Sequence, residues 1–225
     1  MNVRLSNIVI LILISSVLSF AQFKLYLGPQ IGVNFNIHNG SDLPNSGHGF
    51  GLLGGGQVDM EFSRTIGLIT NIGFYDNRYG SYSNTASTVI NGATINYTTD
   101  NNASIAYFTI EPLLKINVSQ SDFFFFIGPS IGFTVESSGE SVTTINTPGF
   151  VFNDNTTKQT VKASIQNTLA RFELKLGAGY NIPIGDMIAI APQISFGYGL
   201  TNVVSDVNWK ILTIQASAVV KFRLI

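Results

Sequence analysis

The chain has 225 residues, of which only 11% are charged, with a net charge of −1 and no cysteine. The near-zero net charge argues against nucleic acid as a partner, and without cysteine the protein cannot rely on a disulfide framework. A mean hydropathy of +0.28 with so few charges suits a surface that meets lipid rather than water.

The N-terminus has the pattern of a secretory signal peptide. Arg4 precedes an apolar run over residues 8–18, and Ser19 and Ala21 place small residues ahead of a cut before Gln22. The alternative is a membrane anchor, but the run is too short to span ~30 Å of hydrocarbon as a helix. We therefore predict that residues 1–21 are a cleaved signal peptide and that residues 22–225 form one domain.

The rest of the chain alternates apolar and polar residues with a period of two, which predicts strands with two chemically different faces. In the first segment Leu27, Ile31 and Val33 face one way, whereas Gln30 and Asn34 face the other. The pattern recurs in eight segments, at residues 24–37, 50–62, 66–75, 108–118, 123–136, 171–182, 188–198 and 212–224.

The lengths of the segments and loops favour a membrane barrel over a soluble sandwich, which would also alternate. The segments exceed the ~5–6 residues of a typical globular strand and can cross a membrane at a tilt. Connections that alternate along the chain between short turns and long loops are typical of outer-membrane barrels. The turns fall at residues 63–65, 119–122 and 185–186, and the loops at 38–48, 76–104, 137–168 and 201–208.

Phenylalanines lie at both ends of the apolar faces and suggest two girdles at the level of the lipid headgroups. Phe62 and Phe123 are examples at the turn end, and Phe35 and Phe133 at the loop end. We predict an all-β fold, an eight-stranded antiparallel up-and-down transmembrane β-barrel.

Two further patterns concern the strands. Residues 27–33 are echoed by residues 127–133, which favours two related halves of four strands. Four prolines fall inside strands, each at a position whose side chain is predicted to face the lipid. Because each removes a ladder hydrogen bond, we expect bulges at these positions. They are Pro29, Pro112, Pro129 and Pro192.

The polar faces carry charges of nearly balanced sign. An eight-stranded lumen is only wide enough to be filled by its own side chains, so we expect a paired, buried network; an open pore is the alternative. The predicted inward charges are Lys24, Asp59, Glu61, Glu111, Lys115, Arg171, Glu173, Lys175, Lys221 and Arg223.

Two constellations resemble catalytic or metal sites. Residues 128–132 match the G-x-S-x-G nucleophile elbow around Ser130, but that motif needs a histidine after the serine and a strand-to-helix turn. His38 and His48 flank the first loop with Asp42 between them, which could suit a metal or a lipid hydrolase. We predict no catalytic residue, no cofactor-binding residue and no metal site.

The long loops contain signals for hairpins. Residues 87–96 centre on Asn91-Gly92, a favoured two-residue turn. Residues 142–145 and 150–152 suggest a second hairpin around Pro148-Gly149. Such hairpins would extend the sheet above the membrane and offer strand edges to a partner; a polar, Thr- and Asn-rich shield is the alternative.

Three segments resemble a known family. Residues 107–115 (YFTIEPLLK), 126–129 (FIGP) and 196–203 (FGYGLTNV) are similar to segments of the PorT-like outer-membrane β-barrel proteins of Bacteroidota. The resemblance implies an outer-membrane β-barrel. For PorT itself it implies a part in the gliding and type IX secretion apparatus, while most members have no assigned activity.

These patterns lead to a ranked expectation of function. The first is a non-enzymatic protein of the outer membrane with an envelope-structural or surface-interaction role through its long loops. The alternative is an accessory subunit of a type IX secretion apparatus, and the third is an outer-leaflet lipid-modifying enzyme. The expected partners are outer-membrane lipid and an extracellular or periplasmic protein, and we expect a monomer.

Overall fold

The computed structural model describes residues 23–225, and the predicted signal peptide at residues 1–21 lies outside this range. None of the described residues forms a helix with the length and hydrophobicity needed to cross a membrane. They form ten strands: β1 (Lys24–Asn39), β2 (Gly47–Glu61), β3 (Ile66–Ile90), β4 (Ala93–Asn117), β5 (Phe123–Ile145), β6 (Lys158–Ala163), β7 (Arg171–Tyr180), β8 (Ile182–Pro183), β9 (Ile188–Gly199) and β10 (Lys210–Arg223).

Eight of these strands close into a ring. Each of β1, β2, β3, β4, β5, β7, β9 and β10 pairs antiparallel with the next, and β10 returns to β1. The closing pair runs from Tyr26↔Arg223 to Asn39↔Lys210. The predicted eight-stranded antiparallel up-and-down barrel is therefore confirmed. Strand β6 pairs only with β5, and the short β8 pairs with β9.

The two faces of the wall have the predicted chemistry. On β1, Ile31 is 69% exposed, whereas the neighbouring Gln30 is 1% exposed and lies in the lumen. The same contrast holds on β2, where Leu52 faces outward and Gln57 inward. A wall that is apolar outside and polar inside is what a barrel in lipid requires.

Strands β3 and β4 are much longer than the sequence predicted. The region at residues 76–104, predicted as a loop, continues the ladder as far as Ile90↔Ala93. The Asn-Gly hairpin over residues 87–96 is confirmed, and both Asn91 (φ 52°) and Gly92 (φ 81°) have the positive φ of a type I′ turn.

The second predicted hairpin is only half right. Strand β5 does continue to Ile145, but the returning strand is β6, which pairs from Gly139↔Ala163 to Thr144↔Lys158. Residues 150–152, predicted to return, lie in the loop at 146–157. This loop makes its own turn at Asn155 (φ 60°), where the Phe152 N–H donates to the Thr156 carbonyl at 2.8 Å.

The expectation of bulges at the prolines is wrong. The register is continuous across all four, while the register shifts lie at Gly54/Gly55, Gly73/Asp76 and Ala106/Tyr107. Pro112 and Pro129 instead lie opposite each other in one interruption of the β4–β5 ladder, between Ile110↔Ile131 and Leu114↔Ile127. Because the two residues without an N–H share a single interruption, each can pair normally with its other neighbouring strand.

Candidate functional site

The barrel lumen is filled by three groups of paired polar side chains. At the turn end, Asp59 Oδ2 accepts hydrogen bonds from Lys115 Nζ at 2.8 Å and from Lys221 Nζ at 2.6 Å. Lys115 also donates to Glu61 at 2.8 Å, and Lys221 to Asn181 at 2.9 Å. Two ammonium groups on one buried carboxylate, with a second carboxylate beside them, balance the charge locally.

Glu111 is the centre of the middle group. Its Oε1 forms an ion pair with Lys175 and accepts from Ser130 Oγ at 3.0 Å. Its Oε2 accepts from Asn71 Nδ2 at 2.9 Å, and Lys175 also donates to Gln215 at 3.1 Å. All of these residues are buried, so the one carboxylate holds together four strands of the wall.

The group at the loop end contains two charges that the sequence analysis missed. Asp76 pairs with Arg78 at 2.5 Å and accepts from Asn34 at 2.6 Å, and Arg171 pairs with Glu173 on β7, three strands along the ring. Asp76 and Arg78 were assigned to a loop. Their alternate spacing was the available signal, since residues two apart share one face of a strand.

The register shift between Gly73 and Asp76 explains why the strict alternation of inward and outward side chains breaks at this point of β3. Phe74 is 67% exposed and its neighbour Tyr75 is 43% exposed, so two successive side chains face outward. Strict alternation along the segment at residues 66–75 predicts Tyr75 to face inward, and this prediction is wrong. The extra residue exchanges the faces for the rest of β3 and brings Asp76 and Arg78 into the lumen.

Two predicted inward charges lie at the rim instead. The Lys24 side chain is 45% exposed and only 3.9 Å from Glu61, and Arg223 is exposed at the end of β10. Both belong to the ends of the closing strands, where the lumen meets water. The other predicted inward charges lie in the lumen, with Glu61 partly exposed near its turn end.

Apolar side chains complete the filling of the lumen. Phe124 and Phe126 point inward beside Ile69 and Leu113, and the ammonium groups of Lys115 and Lys221 lie 4.9 and 4.7 Å from the centre of the Phe124 ring. At the loop end a second cluster closes the mouth, made of Ala103, Ile105, Tyr107, Val203, Trp209 and Ile211 with Leu43, Ile165, Val204 and Val207 packed against it.

We predict from this filling that the purified protein in planar bilayers shows no sustained large conductance steps. Paired charges and close-packed rings leave no continuous water path through the middle of the lumen. Single-channel recording against a known porin at the same protein concentration is the measurement. Long-lived steps of porin size would contradict the filled lumen.

The residues of the catalytic and metal candidates lie apart from one another or have other hydrogen-bond partners. The Ser130 hydroxyl donates to Glu111 inside the lumen, and His38 accepts a hydrogen bond from Trp209 Nε1 at 3.2 Å. His48 lies on the outer face against Phe35, on the other side of the wall from His38, and Asp42 accepts from the Asn208 N–H at 2.7 Å. Among the described residues, no group of three His, Cys, Asp or Glu side chains could hold a metal ion.

The more distinctive surface is the sheet above the barrel. Strand β2 pairs with β3 no further than His48↔Ser81, but β3 continues to Ile90. Strands β3, β4, β5 and β6 thus form a four-stranded sheet, which we call the extracellular sheet (residues 82–101, 138–145 and 158–163), on the side of the long loops.

A closed antiparallel ring with an apolar outer face and a charged, filled interior defines a transmembrane β-barrel of an outer membrane. The sequence model of the outer membrane protein beta-barrel domain matches residues 20–205, and the chain belongs to this family. The protein is located in the outer membrane. Comparison with curated proteins finds no match.

Three solved outer-membrane proteins align with most of this chain at low sequence identity. Ail, the attachment invasion locus protein of Yersinia pestis, is 12% identical with a TM-score of 0.40, over 88% of this chain and 98% of that chain. OprG from Pseudomonas aeruginosa is 10% identical with a TM-score of 0.37, over 89% and 95%. The outer membrane protease OmpT from Escherichia coli is 8% identical with a TM-score of 0.35, over 90% and 96%.

Proposed function

We propose that this barrel is a non-enzymatic surface-contact protein, whose extracellular sheet binds a protein partner by adding a strand of that partner to β3. The observation that supports this most directly is the outer edge of β3. Within the described residues no strand pairs with this edge beyond Ser81. The side-chain amide of Asn45 donates to the Ser83 carbonyl at 2.8 Å, which is no further along β3 than residue 83. Residues 84–90 therefore offer free backbone donors and acceptors.

The two edges of the extracellular sheet differ in a way that favours β3. Strand β6 carries Lys158 and Lys162 in six exposed residues, and lysines on an edge strand discourage pairing with another chain. Residues 84–90 of β3 carry no charge and no proline. One edge is thus protected, whereas the other is left able to pair.

Support for a non-enzymatic role comes from the polar groups of the lumen. The carboxylates and ammonium groups that a hydrolase would use are bonded to each other in pairs, and the mouth above them is closed by the cluster around Trp209. We expect lipid A mass spectra to be the same with and without the protein; an altered profile would favour the lipid-modifying alternative.

Photo-crosslinking in intact cells tests the contact proposal. A photoreactive amino acid at Ser87 on β3 is expected to give an adduct with a surface or extracellular protein, and the same residue at Thr160 on β6 is the matched control. Replacing residues 85–98 with Asn-Gly should keep the barrel, because the pair Asn84↔Thr99 remains, and should remove the partner. No adduct at Ser87, or equal adducts at both edges, would contradict strand addition at β3.

A second candidate is the accessory role in type IX secretion, which rests on the resemblance at residues 196–203. Such a subunit would contact the machinery through its periplasmic side as well. The same crosslinker in the turn at residues 63–65 distinguishes the two roles. Adducts there with secretion components would favour the secretion role, and their absence beside adducts at Ser87 would favour the surface-contact role.

A further inference from the structure

The far end of the extracellular sheet contains a groove on its inner face, formed by side chains rather than by the backbone edge of β3 that the contact proposal uses. It has a volume of about 850 Å³ and lies between the inner face of the sheet and the loop at residues 146–157. Its floor is formed by Ile90, Ile95, Tyr97 and Ile145, and its wall by Phe150 and Phe152. The volume is within the ~300–1,000 Å³ of typical ligand sites.

Contact with lipid does not explain these apolar side chains. Beyond its last pairing with β2 at Ser81, β3 runs nine further residues to Ile90, which is about 30 Å along the strand at ~3.3 Å per residue. Ile90 and Val151 are each 51% exposed there. Exposed apolar side chains that cluster in a concave surface far from lipid are typical of binding sites.

The wall of the groove is fixed in place by hydrogen bonds to the sheet. The Ile145 N–H donates to the Thr157 carbonyl at 2.8 Å, and the Asn146 N–H donates to the Asn96 carbonyl at 2.8 Å. The Asn96 N–H donates in turn to Thr147 Oγ1 at 2.8 Å. Both ends of the loop are therefore tied to strands, so the groove exists before any ligand enters.

One exposed carboxylate lies at the rim of the groove, on the loop that forms its wall. Asp154 is the only ionisable carboxyl among the residues lining the groove, and no Lys or Arg lines it. Its Oδ1 accepts from the Thr156 hydroxyl at 2.7 Å and from the Thr156 N–H at 3.0 Å. The hydroxyl bond is the main cause that lowers the pKa of Asp154, so the carboxylate stays ionised. Within the described residues Oδ2 accepts no hydrogen bond.

We propose that this groove binds small organic cations, each with an aromatic or branched aliphatic body and one ammonium group. The body would lie on the isoleucines and against the rings of Tyr97, Phe150 and Phe152, whose faces also attract a cation. The ammonium group would donate to Asp154 Oδ2. An anion of the same shape would meet the negative carboxylate and is expected to be rejected.

This inference deepens the surface-contact role by naming a class of ligand, and it is tested on purified protein in lipid nanodiscs. Tryptamine is the probe, indole-3-propionate is the anionic probe with the same ring system, and ligand-observed NMR against empty nanodiscs measures binding. We expect tryptamine to bind and indole-3-propionate not to bind. Equal binding of the two, or no binding of tryptamine at millimolar concentration, would overturn the site.

Variants locate the binding within the groove. Asp154→Asn is expected to weaken tryptamine binding by about threefold to fivefold, the size of an exposed charge pair. Phe152→Ser is expected to weaken it by about tenfold through loss of aromatic contact. Asp206→Asn, in the loop after β9, is the matched control and should change nothing. Equal effects of Asp154→Asn and Asp206→Asn would contradict the assignment.

The outcome is separable from that of the surface-contact proposal. Crosslinks at Ser87 without tryptamine binding would remove this site alone. Tryptamine binding without crosslinks would remove the protein partner alone. All variants are compared only after each shows the heat-dependent gel mobility of a folded barrel.

Discussion

Replacing Glu111 with leucine is expected to lower the free energy of unfolding by about 3–5 kcal/mol, the range for breaking a buried ion pair from one side. The change leaves the ammonium group of Lys175 in the lumen with only the amide oxygen of Gln215 as a partner, and it removes the acceptors of Ser130 and Asn71. Urea unfolding in phospholipid vesicles, followed by the fluorescence of Trp209, the one tryptophan in the chain, measures the loss.

The double variant distinguishes an uncompensated charge from simple loss of packing. Glu111→Leu combined with Lys175→Met removes both charges and is expected to recover most of the lost stability, because apolar replacement of a whole buried pair is often neutral. The matched control is Glu140→Gln, whose exposed partner Lys162 lies 3.6 Å away, and it should cost no more than about 1 kcal/mol. A double variant as unstable as Glu111→Leu would show that the charge is not the cause.

Replacing Ile31 with arginine is expected to destabilise the barrel by about 2–4 kcal/mol, the cost of an arginine facing lipid at mid-depth in a barrel. Ile31 is near the middle of β1, is 69% exposed on the outer face and pairs with Ala218 of β10 and Gly54 of β2. The guanidinium would have to reach the headgroups or draw water into the hydrocarbon. The same urea titration measures the change.

The control for Ile31 is an equally apolar and exposed residue outside the bilayer. Val161 on β6 is 57% exposed, and Val161→Arg should change stability by no more than about 0.5 kcal/mol, as surface substitutions usually do. If both arginines cost the same, the outer face of β1 would not be in contact with lipid.

The sequence predicted the barrel well because its main signal is local. Residues two apart share a face, so Gln30 and Asn34 could be assigned to the lumen and Ile31 to the lipid without knowledge of any neighbouring strand. The lumen charges on β2, β4, β7 and β10 followed from the same alternation, and they form the paired network that a filled lumen predicted.

What failed depends on contacts between strands. A bulge inserts one residue into a strand relative to its neighbour. Whether Tyr75 and Asp76 face the lipid or the lumen therefore depends on how β3 pairs with β4, and the sequence of β3 alone does not show it. That Pro112 lies opposite Pro129 likewise could not be predicted without knowing the register in which β4 pairs with β5. The return of β6 at Lys158 could not be predicted, because β6 holds only Thr160 and Val161 of the strand-favouring types, whereas residues 150–152 (FVF) have the stronger strand propensity.

The groove was beyond prediction for a similar reason. Ile90, Ile95 and Ile145 come from three different strands, and the loop that covers them was assigned to a hairpin of its own. The sequence did show an unusual concentration of apolar residues in polar loops, at residues 89–90 and 150–152. That concentration was the available signal: the strand interpretation is confirmed for residues 89–90 and wrong for residues 150–152, which form the wall of the groove.

The pairing of β1 with β10 makes insertion into the membrane an event of the whole chain. Until residues 210–223 have been delivered, β1 has a partner on one side only, and bare backbone cannot be placed in hydrocarbon at acceptable cost. The first strand to be exported must therefore wait for the last. During that interval the unpaired edge of β1 and its apolar side chains are exposed to water, where they could pair with another chain.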